Sequence, residues 1–147
     1  MEIDTAALKP EAVKPAYANP GDAGADLRAA EALRIAPGGG RALVATGLAL
    51  AIPEGFAGLI LPRSGLAMRH GVTCLNSPGL IDSGYRGEVK VLLVNTDPHE
   101  AFEINIGDRI AQLVIQRVEH AMFVDIPLEQ LSETDRGSGG FGSTGVA

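Results

Sequence analysis

The sequence contains no tryptophan, one cysteine and six aromatic residues, four Phe and two Tyr, among 147. With Cys74 alone, neither an internal disulfide nor a cysteine metal cluster can form, and its apolar neighbours Val72 and Leu75 favour an inert core thiol. No apolar run approaches the length needed to span a bilayer. The first twenty residues lack the apolar core of a signal peptide and the Arg-rich character of a transit peptide. The expectation is a cytoplasmic protein with no membrane partner. A basic surface is missing too: the formal charge of −6 argues against broad nucleic-acid binding, which needs cations to displace counterions. Any polyanionic ligand must therefore be held locally. Neither a GxxxxGK[ST] loop, a CxxC pair nor a Gly-x-Ser-x-Gly elbow occurs, and no internal repeat is evident, so the common catalytic templates do not apply.

What is present is 46% hydrophobic residues cut into short lengths by nine prolines and nineteen glycines. The length suits one domain that buries about two thirds of its unfolded surface. Strand character is expected over residues 33–36, 41–52, 56–61, 72–75, 89–95, 101–106, 109–118 and 121–126, with turns such as Pro37-Gly38-Gly39-Gly40 between them. The one expected helix follows Ser64, a good N-cap, and runs through Leu66–His70 to Gly71. Residues 127–135 are expected to be loop. These elements describe an all-β fold, an antiparallel β-sandwich or jelly roll with one short helix.

Five places carry polar chemistry. In Gly79–Asn95, Asp82 and Tyr85 lie on a turn directly before an alternating strand, where Gly79 and Gly84 are expected to take backbone angles closed to other residues and so shape a narrow hairpin that a flat ligand could approach. Asp82 is either a fixed base or an Asx residue closing the turn. Arg63 and the helix start at Ser64 suit a phosphate, or are a surface charge and a plain cap. In residues 109–118, Ile110, Gln112, Val114, Gln116 and Val118 share one face, so two glutamines interrupt an apolar surface and need partners. Asp26 is expected at a strand end. The tail from Arg136 has too few apolar residues for a core, yet holds Phe141; its NH-rich glycines suit phosphates and the ring suits a planar base.

Five segments in order, Ala23–Leu27, Pro62–Ala67, Gly79–Gly87, Gly107–Gln112 and Arg136–Ser143, together resemble the trimeric dUTP pyrophosphatases, the dUTPases. The resemblance implies a jelly-roll homotrimer with active sites shared between subunits, dUTP and Mg²⁺ as substrate, and dUMP and pyrophosphate as products. By position, Asp82 is the implied base for a water attacking the α-phosphorus. Asn76 and the backbone of Gly79 and Ile81 would read uracil, and Tyr85 would pack on the deoxyribose. Arg63, Ser64, Gly65 and Gln112 would contact phosphates. Arg136, Ser138, Gly139, Ser143 and Thr144 would close over them, with Phe141 on the base. Asp26 would support the site from behind or serve the fold. The metal would be held by triphosphate and water, without protein ligands. Residues 1–135 would form the body and 136–147 a flexible arm. Two rivals remain: dCTP deaminase, which shares the fold but whose catalytic glutamate and helix arginine fall on Leu92 and Met68, and a noncatalytic nucleotide-sensing β module.

Overall fold

The short alternating runs become ten strands in a computed structural model that describes residues 1–140: β1 (Asp4–Ala7), β2 (Ala25–Arg28), β3 (Leu33–Ile35), β4 (Gly40–Ala51), β5 (Phe56–Leu61), β6 (Val72–Cys74), β7 (Gly79–Ile81), β8 (Val89–Asn95), β9 (Phe102–Ile104) and β10 (Arg109–Arg117). Helix α1 (Ser64–His70) stands between β5 and β6. One four-stranded sheet has the order β1-β4-β8-β6, a second β2-β10-β5-β7, and β3 pairs with β9, all antiparallel. No helix among the described residues is long and apolar enough to cross a membrane.

The sheets enclose a single core. Val44, Val91 and Leu93 enter it from the first sheet, Leu27, Ile60 and Leu113 from the second. Burying each such side chain contributes about 1.5–3 kcal/mol, so packing, not local propensity, holds three-residue strands such as β6 and β7 in place. Cys74 joins this core, and burial pushes its thiol up to about 11, which keeps it protonated and inert.

The structure departs from the expected elements in five respects. β1 was not anticipated, because its DTAA stretch is largely exposed and carries little apolar alternation. Residues 121–126, expected as a strand, pair with nothing among the described residues, and Leu128–Gln130 forms a 3-10 turn inside the expected loop. Ser64 does not cap α1: Arg63 occupies the cap position with extended backbone, and the Ser64 hydroxyl makes no capping bond. Gly71, at φ 62°, ends the helix as its sequence position suggested. Finally, β7 and β8 do not form a hairpin ladder. They belong to different sheets, so Asp82–Glu88 crosses from one layer of the sandwich to the other.

A bulge in β10 decides which way its side chains face. Arg28 pairs with Arg109 while Leu27 pairs with Ala111, so the ladder slips by one residue at Ile110. Ile110 therefore enters the core at 1% exposure instead of sharing the glutamine face, as simple alternation had suggested. Beyond the bulge the expected period holds, with Ala111 and Leu113 buried. The glutamines are not buried amides in the isolated chain: Gln112 is half-buried, and exposed Gln116 donates to the Arg117 carbonyl at 3.0 Å.

Candidate active site

The polar residues gather in two clusters at opposite edges of the second sheet. At one edge, β2 carries Asp26 outward at 8% exposure between two arginines. Its Oδ1 lies 3.3 Å from Arg63 Nε and its Oδ2 3.2 Å from an Arg109 guanidinium nitrogen. Arg63 also donates to the Arg109 carbonyl at 3.2 Å. The Asp26–Arg63 contact is close enough for strong attraction but is not aligned as a hydrogen bond, leaving Arg63 Nε buried without a bonded partner. Asp26 is thus not a solvated strand-end residue; it fixes two cations side by side.

Gln112 pairs with Asp26 across the ladder, and its side chain lies on Gly24, where a Cβ would stand 3.0 Å from Gln112 Cβ and 3.2 Å from its Oε1. Next to Arg63, Ser64 and Gly65 open α1; Leu66 and Ala67 donate to the Arg63 carbonyl, and NH groups at a helix start lack intrahelical partners. The Arg69 guanidinium folds back over Gly65, 2.8 Å from where a Cβ would be. Three guanidinium groups, free amides and an exposed hydroxyl are a donor set that could hold an anion locally on an acidic protein. Sequence inspection named Arg63, Ser64, Gly65 and Gln112 but gave no role to Arg109 or Arg69. Arg109 stands in the Gly107–Gln112 segment, yet only the bulge turns it toward Asp26.

At the other edge, β7 delivers the second cluster. Gly79 is buried against Asn76 and Ile60: an added Cβ would come within 3.3 Å of Asn76 Nδ2 and of Ile60 Cβ. Space, not backbone conformation, is what Gly79 supplies, for neither it nor Gly84 takes a positive φ, contrary to the expectation from the sequence. Ile81 is buried, and exposed Asp82 follows it. The turn closes without the Asp82 side chain: the Tyr85 amide donates to the Asp82 carbonyl at 3.1 Å, and the Arg86 guanidinium donates to the Ser83 and Tyr85 carbonyls at 2.6 and 2.8 Å. Among the described residues the Asp82 carboxylate has neither a hydrogen bond nor an ion pair, so the Asx-turn alternative is not what the structure contains. A cleft of about 410 Å³ lined by Asp82, Ser83, Leu80, Phe56 and His120 opens beside it. The Tyr85 hydroxyl donates to the Glu88 carbonyl at 2.9 Å, and the ring is 45% exposed.

One chain does not join these clusters. The row Ala25–Leu113–Ile60–Gly79 crosses the whole sheet, and three strand spacings separate its ends by about 14 Å. Arg136 and Gly139 form an exposed turn in which Arg136 Nε donates to the Gly139 carbonyl at 2.8 Å, with Ser138 between them. No hydrogen bond or ion pair ties these three to Arg63, Asp82 or Tyr85 among the described residues. Phe141, Ser143 and Thr144 lie outside the described residues. No group of three or more His, Cys, Asp or Glu that could hold a metal stands together among the described residues.

Comparison with known proteins matches residues 11–145 to the dUTPase family. The chain is 57% identical to the deoxyuridine 5'-triphosphate nucleotidohydrolase of Thermobifida fusca, over 99% of this chain and 79% of that one. The dUTPase of Staphylococcus bacteriophage 80alpha, solved with dUPNHPP, superposes with a TM-score of 0.87 at 29% identity, over 99% of each chain. A mutant dUTPase from phage phi11 of S. aureus, described with a structural Mg(II) ion, gives a TM-score of 0.78 at 25% identity, over 86% of this chain and 97% of the other. The two clusters stand on a sandwich shared with these proteins, and by the family match and the identity along almost its entire length the chain belongs to the dUTPase family.

Proposed function

We propose that this chain hydrolyses dUTP to dUMP and pyrophosphate, which keeps uracil out of DNA and supplies dUMP for thymidylate synthesis. The observation that carries the mechanism is the unpartnered Asp82 carboxylate at the end of a turn that does not need it. A water held by Asp82 attacks the α-phosphorus and passes its proton to the carboxylate, while the bond from that phosphorus to the β-bridging oxygen breaks. Asn76 with the Gly79 and Ile81 backbone reads the uracil edge, and Tyr85 packs on the sugar. Arg63, Ser64, Gly65 and Gln112 hold phosphates, and Arg109, locked beside Arg63 by Asp26, adds to their positive field.

The donor set fits a metal carried by the substrate. Asp26 is committed to two arginines and Asp82 stands alone, so Mg²⁺ would draw its oxygen ligands from triphosphate and water, without protein ligands. So bound, it neutralises charge on the phosphates. The test is pyrophosphate release from dUTP with Mg²⁺, alongside ammonia release from dCTP. Turnover of dUTP without ammonia is expected; comparable ammonia release overturns the reading in favour of a deaminase, and binding without turnover favours a sensing module.

The active site is shared between the subunits of a homotrimer. Two clusters at opposite edges of one sheet meet only if a second copy brings its phosphate cluster to the Asp82 turn, a head-to-tail contact that closes as a ring. The segment after β10 supports this, since Phe123 is 95% exposed and Met122 and Leu128 more than 80%. Apolar side chains so exposed outside any strand suit burial against another copy. Light scattering is expected to give three chains; a stable, active monomer sinks the shared site.

Residues 136–147 act as a lid over the phosphates, with Phe141 on the base and Arg136, Ser138, Gly139, Ser143 and Thr144 on the triphosphate. Ending the chain at Asp135 is expected to leave the trimer intact and to lower turnover by about tenfold or more, as loss of closure and of one base–ring contact predicts. Steady-state kinetics beside light scattering checks this, and full activity in the shortened chain refutes the lid.

A further inference from the structure

The turn that presents Tyr85 has a second device, at Gly87. A Cβ built on Gly87 would lie 2.4 Å from the Tyr85 hydroxyl oxygen, 2.6 Å from Cζ and 2.9 Å from Cε2. All three atoms belong to the rigid phenol of Tyr85, whose hydroxyl is held by the Glu88 carbonyl, so the tyrosine lies directly against the main chain at residue 87. Gly87 has no positive φ, so its backbone does not itself require glycine, and the three atoms nearest an added Cβ all belong to Tyr85. Gly84, three residues earlier, has nothing within 4 Å of an added Cβ.

The ring is also tied from below. Its hydroxyl donates to the Glu88 carbonyl at 2.9 Å. The Glu88 side chain, 16% exposed, runs inward and accepts from the Gly47 amide at 2.9 Å, with Lys90 Nζ at 3.5 Å and Lys9 Nζ at 4.0 Å. Gly47 lies in the irregular stretch of β4 where its ladder with β8 slips between Ala45 and Leu48. The carbonyl that holds the ring thus belongs to a residue anchored in the other sheet.

We propose that Gly87 and Glu88 are positioning residues that set how far the Tyr85 ring stands from the sugar, and so set discrimination between deoxyribo- and ribonucleotide. This rests on the reading that Tyr85 packs on the deoxyribose. A 2′-hydroxyl is rejected by a fixed surface, and a ring that can move by an ångström rejects it poorly. Gly87→Ala displaces the ring from the main chain; Glu88→Ala releases the carbonyl that anchors it.

The test is the ratio of kcat/KM for dUTP to that for UTP, measured with Mg²⁺ on the full chain. Gly87→Ala is expected to lower the ratio by about tenfold, as an overpacking displacement of the ring implies. The same substitution in a Tyr85→Ala background is expected to change the ratio no further, because coupled positions are not additive. A ratio unaltered by Gly87→Ala, or altered equally with and without the Tyr85 ring, overturns the proposal. A ratio unaltered by Tyr85→Ala itself points instead to failure of the underlying sugar-contact reading. Should Gly87→Ala not fold, Glu88→Ala takes its place: a lowered ratio supports the proposal and an unchanged one overturns it.

Discussion

Replacing Asp82 with Asn is expected to lower kcat by about 10² to 10⁴ while dUTP with Mg²⁺ still binds, because Asn keeps the shape of the side chain but cannot take a proton from the attacking water. Binding persists because the uracil and phosphate contacts come from other residues, and removal of a negative charge beside a triphosphate can tighten it. The structure sharpens the contrast with a purely structural role. The turn is closed by the Tyr85 amide on the Asp82 carbonyl, a bond the substitution leaves in place, and the carboxylate itself is exposed. Stability should therefore change by no more than about 0.5 kcal/mol, the usual range for a surface change away from caps and core. Single-turnover hydrolysis, equilibrium affinity and thermal melting on the same variant decide the matter. Near-normal turnover removes Asp82 from the role of base, and a large loss of stability with weakened binding returns it to the turn.

Asp26→Asn should show a different pattern, with stability and phosphate handling lost together. Asp26 is the counter-charge for Arg63 and Arg109, and without it two guanidinium groups are left side by side. Breaking a fully buried pair costs about 3–5 kcal/mol. Arg109 is 43% exposed and Arg63 23%, so solvent screening lowers the expectation to about 2 kcal/mol. In a chain of this length that corresponds to a fall in Tm of about 4–8 °C. The arginines should also lose their set positions, and displacement of about 1 Å at groups holding a reacting phosphate can cost about 10²-fold in kcat/KM. Kinetics well below the lowered Tm separate the two effects. A protein that melts earlier but keeps its kcat/KM would make Asp26 a residue of the fold alone, and one unchanged in both would remove it from either role.

The two acids show how sequence and fold divide the information. Asp82 was legible because everything that presents it is local: a turn after Gly79, a ring three residues on and an alternating strand beyond. The same holds for β5, whose bounds follow from Phe56–Leu61 alone, and for Gly71 at the end of α1. Periodicity and turn chemistry act over a few residues, and a sequence displays them directly. Asp26 was not legible in this way, since the arginines it holds lie 37 and 83 positions along the chain.

Three further features were beyond local pattern for the same reason. The slip in β10 depends on how that strand meets β2, and it alone turns Ile110 inward and Arg109 outward. The passage of Asp82–Glu88 from one sheet to the other depends on β7 and β8 finding different neighbours. The need for glycine at 87 depends on where the Tyr85 ring comes to rest, whereas from the sequence Gly79 and Gly84 looked equally important. The sequence by itself determined the all-β class, the helix, the family and the acid on its turn. Only the tertiary structure decided which charges face one another and that the Arg63 and Asp82 clusters lie apart in one chain, because strand pairing and the reach of long side chains are set by the packed sandwich, not by spacing along the chain.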